Sequence, residues 1–336
     1  MCAITGLFDA GNASSEAVLK KMTDTMIHRG PDGGKQVFFE VDDVQIGLGH
    51  RRLAIIDLSE GGTQPMEFAP YWICFNGEIY NYQSVKEELI QLGHQFQSHS
   101  DTEMILHAYA QWGKSCVERF RGMFAFVIVN TETGAIFCVR DRAGVKPFYF
   151  YLNDGLFLFS SELKAFPEHP SFRKEINLSA VEMFMQFGNI PAPHTIFQSA
   201  FKLKPGHYLE FNLSELKDRP AYLNQHQYWN VYDAYNQPKA DLSFEDAKKQ
   251  TETILRESCE LRMVADVPVG VFLSGGFDSA AVTSLLQTGR TQKLKTYTIA
   301  VPDIGLNEAP YAKDVAKYLG TEHTEFECSH QEAIDL

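Results

Sequence analysis

Apolar residues recur at helical spacing at Leu19, Met22 and Met26, and the run stops at His28-Arg29-Gly30-Pro31-Asp32-Gly33, which cannot continue a helix. A second stripe, Val85, Leu89 and Leu92, is followed by Gly93 where a C-cap glycine belongs. Ser100-Asp101-Thr102-Glu103 has the form of a capping box and predicts a helix through Met104, Ala108 and Trp112. Elsewhere the period is that of strands. Apolar runs lie at 71–75, 123–129, 135–140 and 147–152, and Asn153-Asp154-Gly155 turns the last of these into 156–159. Many adjacent strands with helices outside the run predict an antiparallel α+β layer structure.

Residues 214–242 break this pattern, with Asn, Gln, Tyr, Asp and Pro dominant and Tyr228-Trp229 as the expected point where a linker docks. From Ser243 the order changes. Ser243-x-x-Asp246 predicts a capped helix whose inner face holds Phe244, Ala247, Ile254 and Leu261. An apolar strand at 268–273, a glycine turn, a helix at 279–287, a strand at 297–301 and a helix from Asn307 to Gly320 follow. Strand–helix alternation of this kind predicts a parallel, doubly wound α/β sheet. The expected division is therefore residues 2–213, a linker at 214–242, and a second domain at 243–336, about half the length such a sheet needs.

Composition removes several classes of function. The 336 residues carry 30 Lys+Arg against 43 Asp+Glu, a formal charge of −13. That acidity argues against nucleic acid, whose binding rests on basic side chains. No apolar stretch approaches the ~18 residues of a membrane span, and the N-terminus lacks a basic signal region. The six cysteines contain no C-x-x-C pair, so neither a zinc site nor a disulfide framework is expected and a reducing cytoplasmic setting is.

Four features carry chemistry. Cys2 becomes the N-terminal residue if Met1 is removed, and its own α-amine, titrating at about 7.7–8.0, can then act as a base beside the thiol. Cysteine is also a common small core residue. Asn76-Gly77, at the end of the 71–75 strand, can aim two N–H donors at a developing oxyanion, although Asn-Gly is equally a turn dipeptide. Arg52 suits an α-carboxylate and Asp101 an α-ammonium, while either residue also makes sense as a strand-end or first-turn charge. Finally, Leu273-Ser274-Gly275-Gly276-Phe277-Asp278-Ser279 joins a buried strand to a helix and makes a lysine-free cradle for a pyrophosphate, with Asp278 able to hold Mg²⁺. The Walker Lys-Ser/Thr pair is absent, so an ordinary P-loop is excluded.

In register, these segments resemble the glutamine-hydrolysing asparagine synthetases. The matching residues are Cys2, His28 to Asp32, Arg52-Leu53-Ala54-Ile55-Ile56-Asp57, Asn76 to Asn81, Ser100-Asp101, Gly122 to Phe126, Arg140-Asp141-Arg142 with Lys146-Pro147, Ser161 to Lys164, and Ser274 to Ser279. The resemblance implies an N-terminal-nucleophile αββα sandwich acting as a class II glutamine amidotransferase, followed by a pyrophosphatase-loop synthetase domain. It implies that Cys2 attacks the glutamine amide and that Asn76 and Gly77 stabilise the oxyanion. Arg52, the backbone of Leu53, Ala54, Ile55 and Ile56, Asn76, Gly77, Glu78 and Asp101 would hold the glutamine. Leu273, Ser274, Gly275, Gly276, Asp278 and Ser279 would bind ATP, with Ile299 beside the adenine and Mg²⁺ on Asp278. Aspartate would be activated as a β-aspartyl adenylate and amidated by ammonia carried internally, with AMP and pyrophosphate released.

Two departures stand out. Phe277 replaces a usual leucine, and the second Ser-Gly-Glu-Gly-x-Asp-Glu loop of the family does not occur before Leu336, so a fragment or a truncated product is expected. Three other readings stay open: the same scaffold amidating a different carboxylate such as a sugar acid, a glutaminase alone, or a regulatory module. Assembly as a homodimer is left open too.

Overall fold

The computed structural model describes residues 2–218, 222–301 and 307–335. It falls into two compact units, Met1–Gln237 and Pro238–Leu336.

The first unit holds twelve strands among the described residues: β1 (Ala3–Asp9), β2 (Gly33–Val41), β3 (Val44–Arg52), β4 (Met66–Phe68), β5 (Tyr71–Ile79), β6 (Gly122–Asn130), β7 (Ala135–Arg140), β8 (Tyr149–Asn153), β9 (Leu156–Ser160), β10 (Ala200–Lys202), β11 (His207–Asn212) and β12 (His226–Gln227). They form two six-stranded sheets, ordered β10-β8-β9-β1-β3-β2 and β12-β11-β7-β6-β5-β4. Every pairing within them is antiparallel.

Side chains alternate across a strand, so each sheet has two faces to cover. Ile4 and Phe8 of β1, Ile46 and Leu48 of β3, Cys74 of β5, Val127 of β6 and Phe157 of β9 meet in one buried cluster between the sheets. The opposite face of β1, Ala3 and Leu7, packs on Leu19 and Met22 of the helix Glu16–Asp24. Beyond the other sheet, Tyr109 of the helix Asp101–Trp112 stacks on Phe137 at 5.3 Å and meets Tyr71 edge-on at 5.5 Å. Helix, sheet, sheet, helix: the unit is an αββα sandwich. Tyr228 and Trp229 belong to this unit and are tied into it: Tyr228 donates its hydroxyl to Arg140 O at 2.8 Å and both Tyr228 and Trp229 donate N–H to Gly206 O.

Three local expectations change. Asn76-Gly77 is not a turn; both residues lie within β5, opposite Ala125 and Phe124 of β6. A β-carbon on Gly77 would meet Met123 O at 2.2 Å, so glycine here serves close strand approach rather than a bend. The capping box is half formed. Ser100 Oγ accepts Thr102 N–H at 3.0 Å, but the Glu103 carboxylate turns away to accept the N–H groups of Gln97 and Ser98, each at 2.7 Å. Third, Leu92 is exposed rather than part of the inner stripe.

The second unit has three parallel strands, β13 (Gly270–Phe272), β14 (Lys295–Ala300) and β15 (Glu322–Glu327), in that spatial order. The helices Phe277–Gln287 and Ala309–Leu319 connect them, and Leu273, Ala312 and Ala316 form the buried cluster. Ser243 caps the helix Phe244–Leu261 as expected, accepting Asp246 N–H at 3.2 Å. Its apolar stripe is not covered, however: Phe244 is 79% and Ile254 65% exposed. Within this unit, Phe244, Ala247 and Leu255 line a groove shared with Ala281, Ser284 and Leu285 of the helix Phe277–Gln287.

Candidate functional site

The sheet–sheet core runs out into a polar pocket at one end of the sandwich. Along β3 the inward positions read Ile46, Leu48, His50, Arg52, and along β5 Cys74, Asn76, Glu78; on β1, Cys2 precedes Ile4 and Phe8. The same alternation that buries the apolar members therefore delivers the polar ones to one place. The pocket is lined by Cys2, His50, Arg52, Leu53, Ile55, Ile56, Gln64, Asn76, Gly77, Glu78, Asp101 and Lys146, among others.

Cys2 is held on both sides. Leu53 N–H donates to its sulfur at 3.3 Å and the thiol donates to Leu53 O at 3.4 Å. Arg29, itself paired with Glu162 at 3.1 Å, donates to Cys2 O at 3.2 Å and fixes the backbone behind the thiol. Burial raises the thiol pKa, opposed by the Leu53 N–H and by the positive charges of the chain terminus and Lys146. Asn76 Nδ2 donates to Ser161 Oγ at 3.4 Å, and Asn76 Oδ1 is buried with no hydrogen-bond partner among the described residues.

Arg52 supports the pocket wall by donating to Ser59 O at 2.7 Å and to Asp57 O. This holds the segment that presents Leu53, Ile55 and Ile56. Ala54 lies in the same segment but does not line the pocket; its N–H donates to Asp32 at 2.9 Å. Asp101 is buried at the first turn of its helix and accepts Ile79 N–H at 3.0 Å. Burial, reinforced by the nearby Glu78 carboxylate, raises its pKa to about 7. Burial raises Glu78 as well, and Lys146 opposes it.

Sequence reasoning gave no role in the site to His50, Gln64 or Lys146, although Lys146-Pro147 is one of the segments that carry the resemblance. His50 is buried and held neutral, burial lowering its pKa to about 3. Gln64 accepts Phe75 N–H at 2.6 Å and donates to Thr102 Oγ1 at 3.0 Å, tying β5 to the helix that carries Asp101. The available signal for His50 was the alternation His50-Arg51-Arg52, which points the first and third residues inward. For Lys146 it was a lone cation amid Val145, Pro147 and Phe148.

In the second unit, Leu273, Ser274, Gly275, Gly276, Asp278 and Ser279 lie just past the carboxyl end of β13, and Ile299 lies near that of β14. Ligand crevices of parallel sheets open on that edge. Ser274 Oγ and Ser279 Oγ are 3.0 Å apart, and Ser279 Oγ accepts Ser274 N–H at 3.2 Å, which closes the loop. Gly275 has φ +79°, and a β-carbon there would meet Ala312 N at 2.7 Å. Gly276 caps the helix with no side chain in the way, leaving first-turn N–H groups for an anion. Asp278 is exposed, and no group of three or more His, Cys, Asp or Glu that could hold a metal ion occurs among the described residues. One carboxylate suits Mg²⁺ only where phosphate oxygens and water supply the remaining ligands.

A family model described as a glutamine amidotransferase domain matches residues 1–229, and one described as asparagine synthase matches residues 250–336. The chain is similar to the putative asparagine synthetase (glutamine-hydrolyzing) 2 of Methanocaldococcus jannaschii, with 38% identity over 100% of this chain and 67% of that protein. It is similar also to asparagine synthetase (glutamine-hydrolyzing) 3 of Bacillus subtilis, 33% identical over 100% of this chain and 55% of the relative. It thus spans roughly half to two thirds of the length of these relatives. A solved structure described as the allosteric regulatory enzyme of purine biosynthesis covers 97% of this chain and 90% of its own, with a TM-score of 0.52 and 13% identity, a likeness of fold alone.

Proposed function

The chain belongs to the family of glutamine-hydrolysing asparagine synthetases, and from that premise we propose that it releases ammonia from glutamine at Cys2 as the donor half of an ATP-dependent amidation. The observation that carries this reading is the convergence of Cys2, Asn76, Gly77, Glu78, Arg52 and Asp101 on one pocket from four separate parts of the chain.

In this reading the Cys2 α-amine, freed by removal of Met1, takes the thiol proton, and the sulfur attacks the side-chain carbonyl of glutamine. The amide oxygen becomes an oxyanion facing Asn76 Nδ2 and the Gly77 N–H. Its collapse breaks the C–N bond, the proton passes to the departing nitrogen, and water later frees glutamate from the thioester. Arg52 receives the substrate α-carboxylate; Asp101 and Glu78 receive the α-ammonium. Leu53, Ile55 and Ile56 wall the pocket, and Ala54 acts through the shape of their segment.

The second unit would bind ATP with the loop at Leu273, Ser274, Gly275, Gly276, Asp278 and Ser279, the adenine near Ile299. Mg²⁺, bound through Asp278 and the phosphates, would neutralise charge on the departing pyrophosphate. Aspartate is the acceptor that the family favours.

Replacing the thiol tests the donor half. Cys2→Ala is expected to abolish glutamate release from glutamine, read by coupled glutamate assay, with an unchanged far-UV spectrum. Activity that survives the substitution rules the reading out.

A further inference from the structure

One charged group in the pocket has no part in the chemistry above. Lys146 is 2% exposed and ends the loop that follows β7. Its backbone is clamped from both sides. Asp141 Oδ1 accepts Ala143 N–H at 3.1 Å and Val145 N–H at 2.9 Å, while Oδ2 accepts Lys146 N–H at 2.9 Å and Phe124 N–H at 3.2 Å. Arg140 donates to Lys146 O at 2.8 Å, Gly144 O at 2.7 Å and Leu203 O at 2.7 Å. So much fixation of a six-residue loop is wasted on a lysine that only fills space. A buried ammonium is costly and is retained where negative charge faces it.

Resting on the glutaminase reading of the same pocket, we propose that Lys146 is a positioning residue for glutamine hydrolysis: the loop clamped by Asp141 and Arg140 holds its ammonium toward Cys2 and Glu78, supplying the positive field in which the sulfur carries its negative charge.

The surrounding charges fit that role. Burial lowers the Lys146 pKa and the Arg29 cation adds to this, while Glu78, Cys2 and Asp141 work against it. On the sulfur, the Leu53 N–H, the chain terminus and Lys146 favour the thiolate, and Asp101 disfavours it. Glu78 is pushed up by burial and drawn down by Lys146 and the terminus. Lys146 thus lines the same pocket as two acids whose pKa burial raises, and on both it works against that rise. Removing its charge raises the thiol pKa and leaves less thiolate at neutral pH. Lys146 forms no covalent bond and moves no proton; its contribution is electrostatic.

The experiment is the pH dependence of Cys2 alkylation by iodoacetamide, without glutamine, in the wild-type chain, Lys146→Met and Lys146→Arg. Modification is quantified on the N-terminal peptide by mass spectrometry, because Cys259 and Cys328 are also partly accessible. Lys146→Met is expected to move the alkylation midpoint up by about one pH unit and to lower kcat for glutamine at pH 7 by about tenfold, whereas Lys146→Arg restores most of both. If Lys146→Met does not fold, Lys146→Gln keeps a polar tip on the loop and is read the same way. An unmoved midpoint in the folded neutral variant overturns the inference, as does an arginine variant shifted as far as the neutral one. The alkylation readout does not use glutamine. A wild-type chain that releases no glutamate therefore sinks the glutaminase reading and leaves the midpoint comparison intact.

Discussion

Asp101 shows how position rather than residue type sets chemistry at the smallest scale. Its carboxylate is buried, and that burial, with Glu78 nearby, raises its pKa to about 7 although the backbone N–H groups it accepts, Ile79 among them, pull the other way. The folded chain then holds this proton more tightly than the unfolded chain, where a carboxyl titrates near 4. Between about pH 4 and pH 7 the unfolded state loses the proton first, and the native state loses stability as pH rises through that window. Asp101→Asn is therefore expected to match wild type at pH 4 and to exceed it at pH 8 by roughly 2–4 kcal/mol, measured by paired urea melts. The same variant should lose glutamine kcat/KM by at least about a hundredfold, because a neutral amide cannot pair with an α-ammonium. For the wild type, KM for glutamine should rise as pH falls below about 7. Cys2, Asn76 and Arg52 were legible in the sequence as residue types suited to these tasks. The shifted state of Asp101 was not, since it depends on what packs over it.

Among the elements, β5 and the loop after β7 matter most. The Asn-Gly pair reads locally as a turn, yet β6 runs opposite it and keeps it in register through Ile79. Tertiary pairing overrides a short-range preference here because continuous pairing of Tyr71–Ile79 with β6 gains more than a dipeptide turn can. The capping box failed in part for a similar reason: Glu103 is drawn to the N–H groups of Gln97 and Ser98 instead of back to its own cap. Helix existence was readable from spacing at Leu19 and Met22, and at Val85 and Leu89, all of which are buried. In the loop after β7, Asp141 accepts four backbone N–H groups and is almost wholly buried. Asp141→Ala strands those donors and should cost about 3 kcal/mol by urea denaturation. Glutamate release should fall with it, although Asp141 does not line the pocket; Asp141→Asn, which keeps one acceptor oxygen, should be milder on both counts.

At the scale of the whole molecule, the two units differ in how fully each covers its apolar surface. The first closes two sheets over a shared core and caps both outer faces with helices. The second leaves Phe272 79%, Phe277 97% and Tyr318 89% exposed. Residues 1–237 alone should accordingly unfold in one cooperative urea transition followed by circular dichroism, and should release glutamate from glutamine without ATP. A non-cooperative melt would show that the sandwich depends on the second unit. By itself the sequence determined the period of those elements whose apolar spacing stands out, the change of architecture near Ser243 and the identity of most pocket residues, because periodicity, caps and glycine turns are local properties of a chain. Only the tertiary structure decided that inward positions of β1, β3 and β5 share one end of a sandwich, that Lys146 joins them, and that Phe244 and Ile254 of the helix Phe244–Leu261 are exposed. Those outcomes depend on which distant surfaces meet, and contact between residues far apart in sequence leaves no pattern in either segment alone.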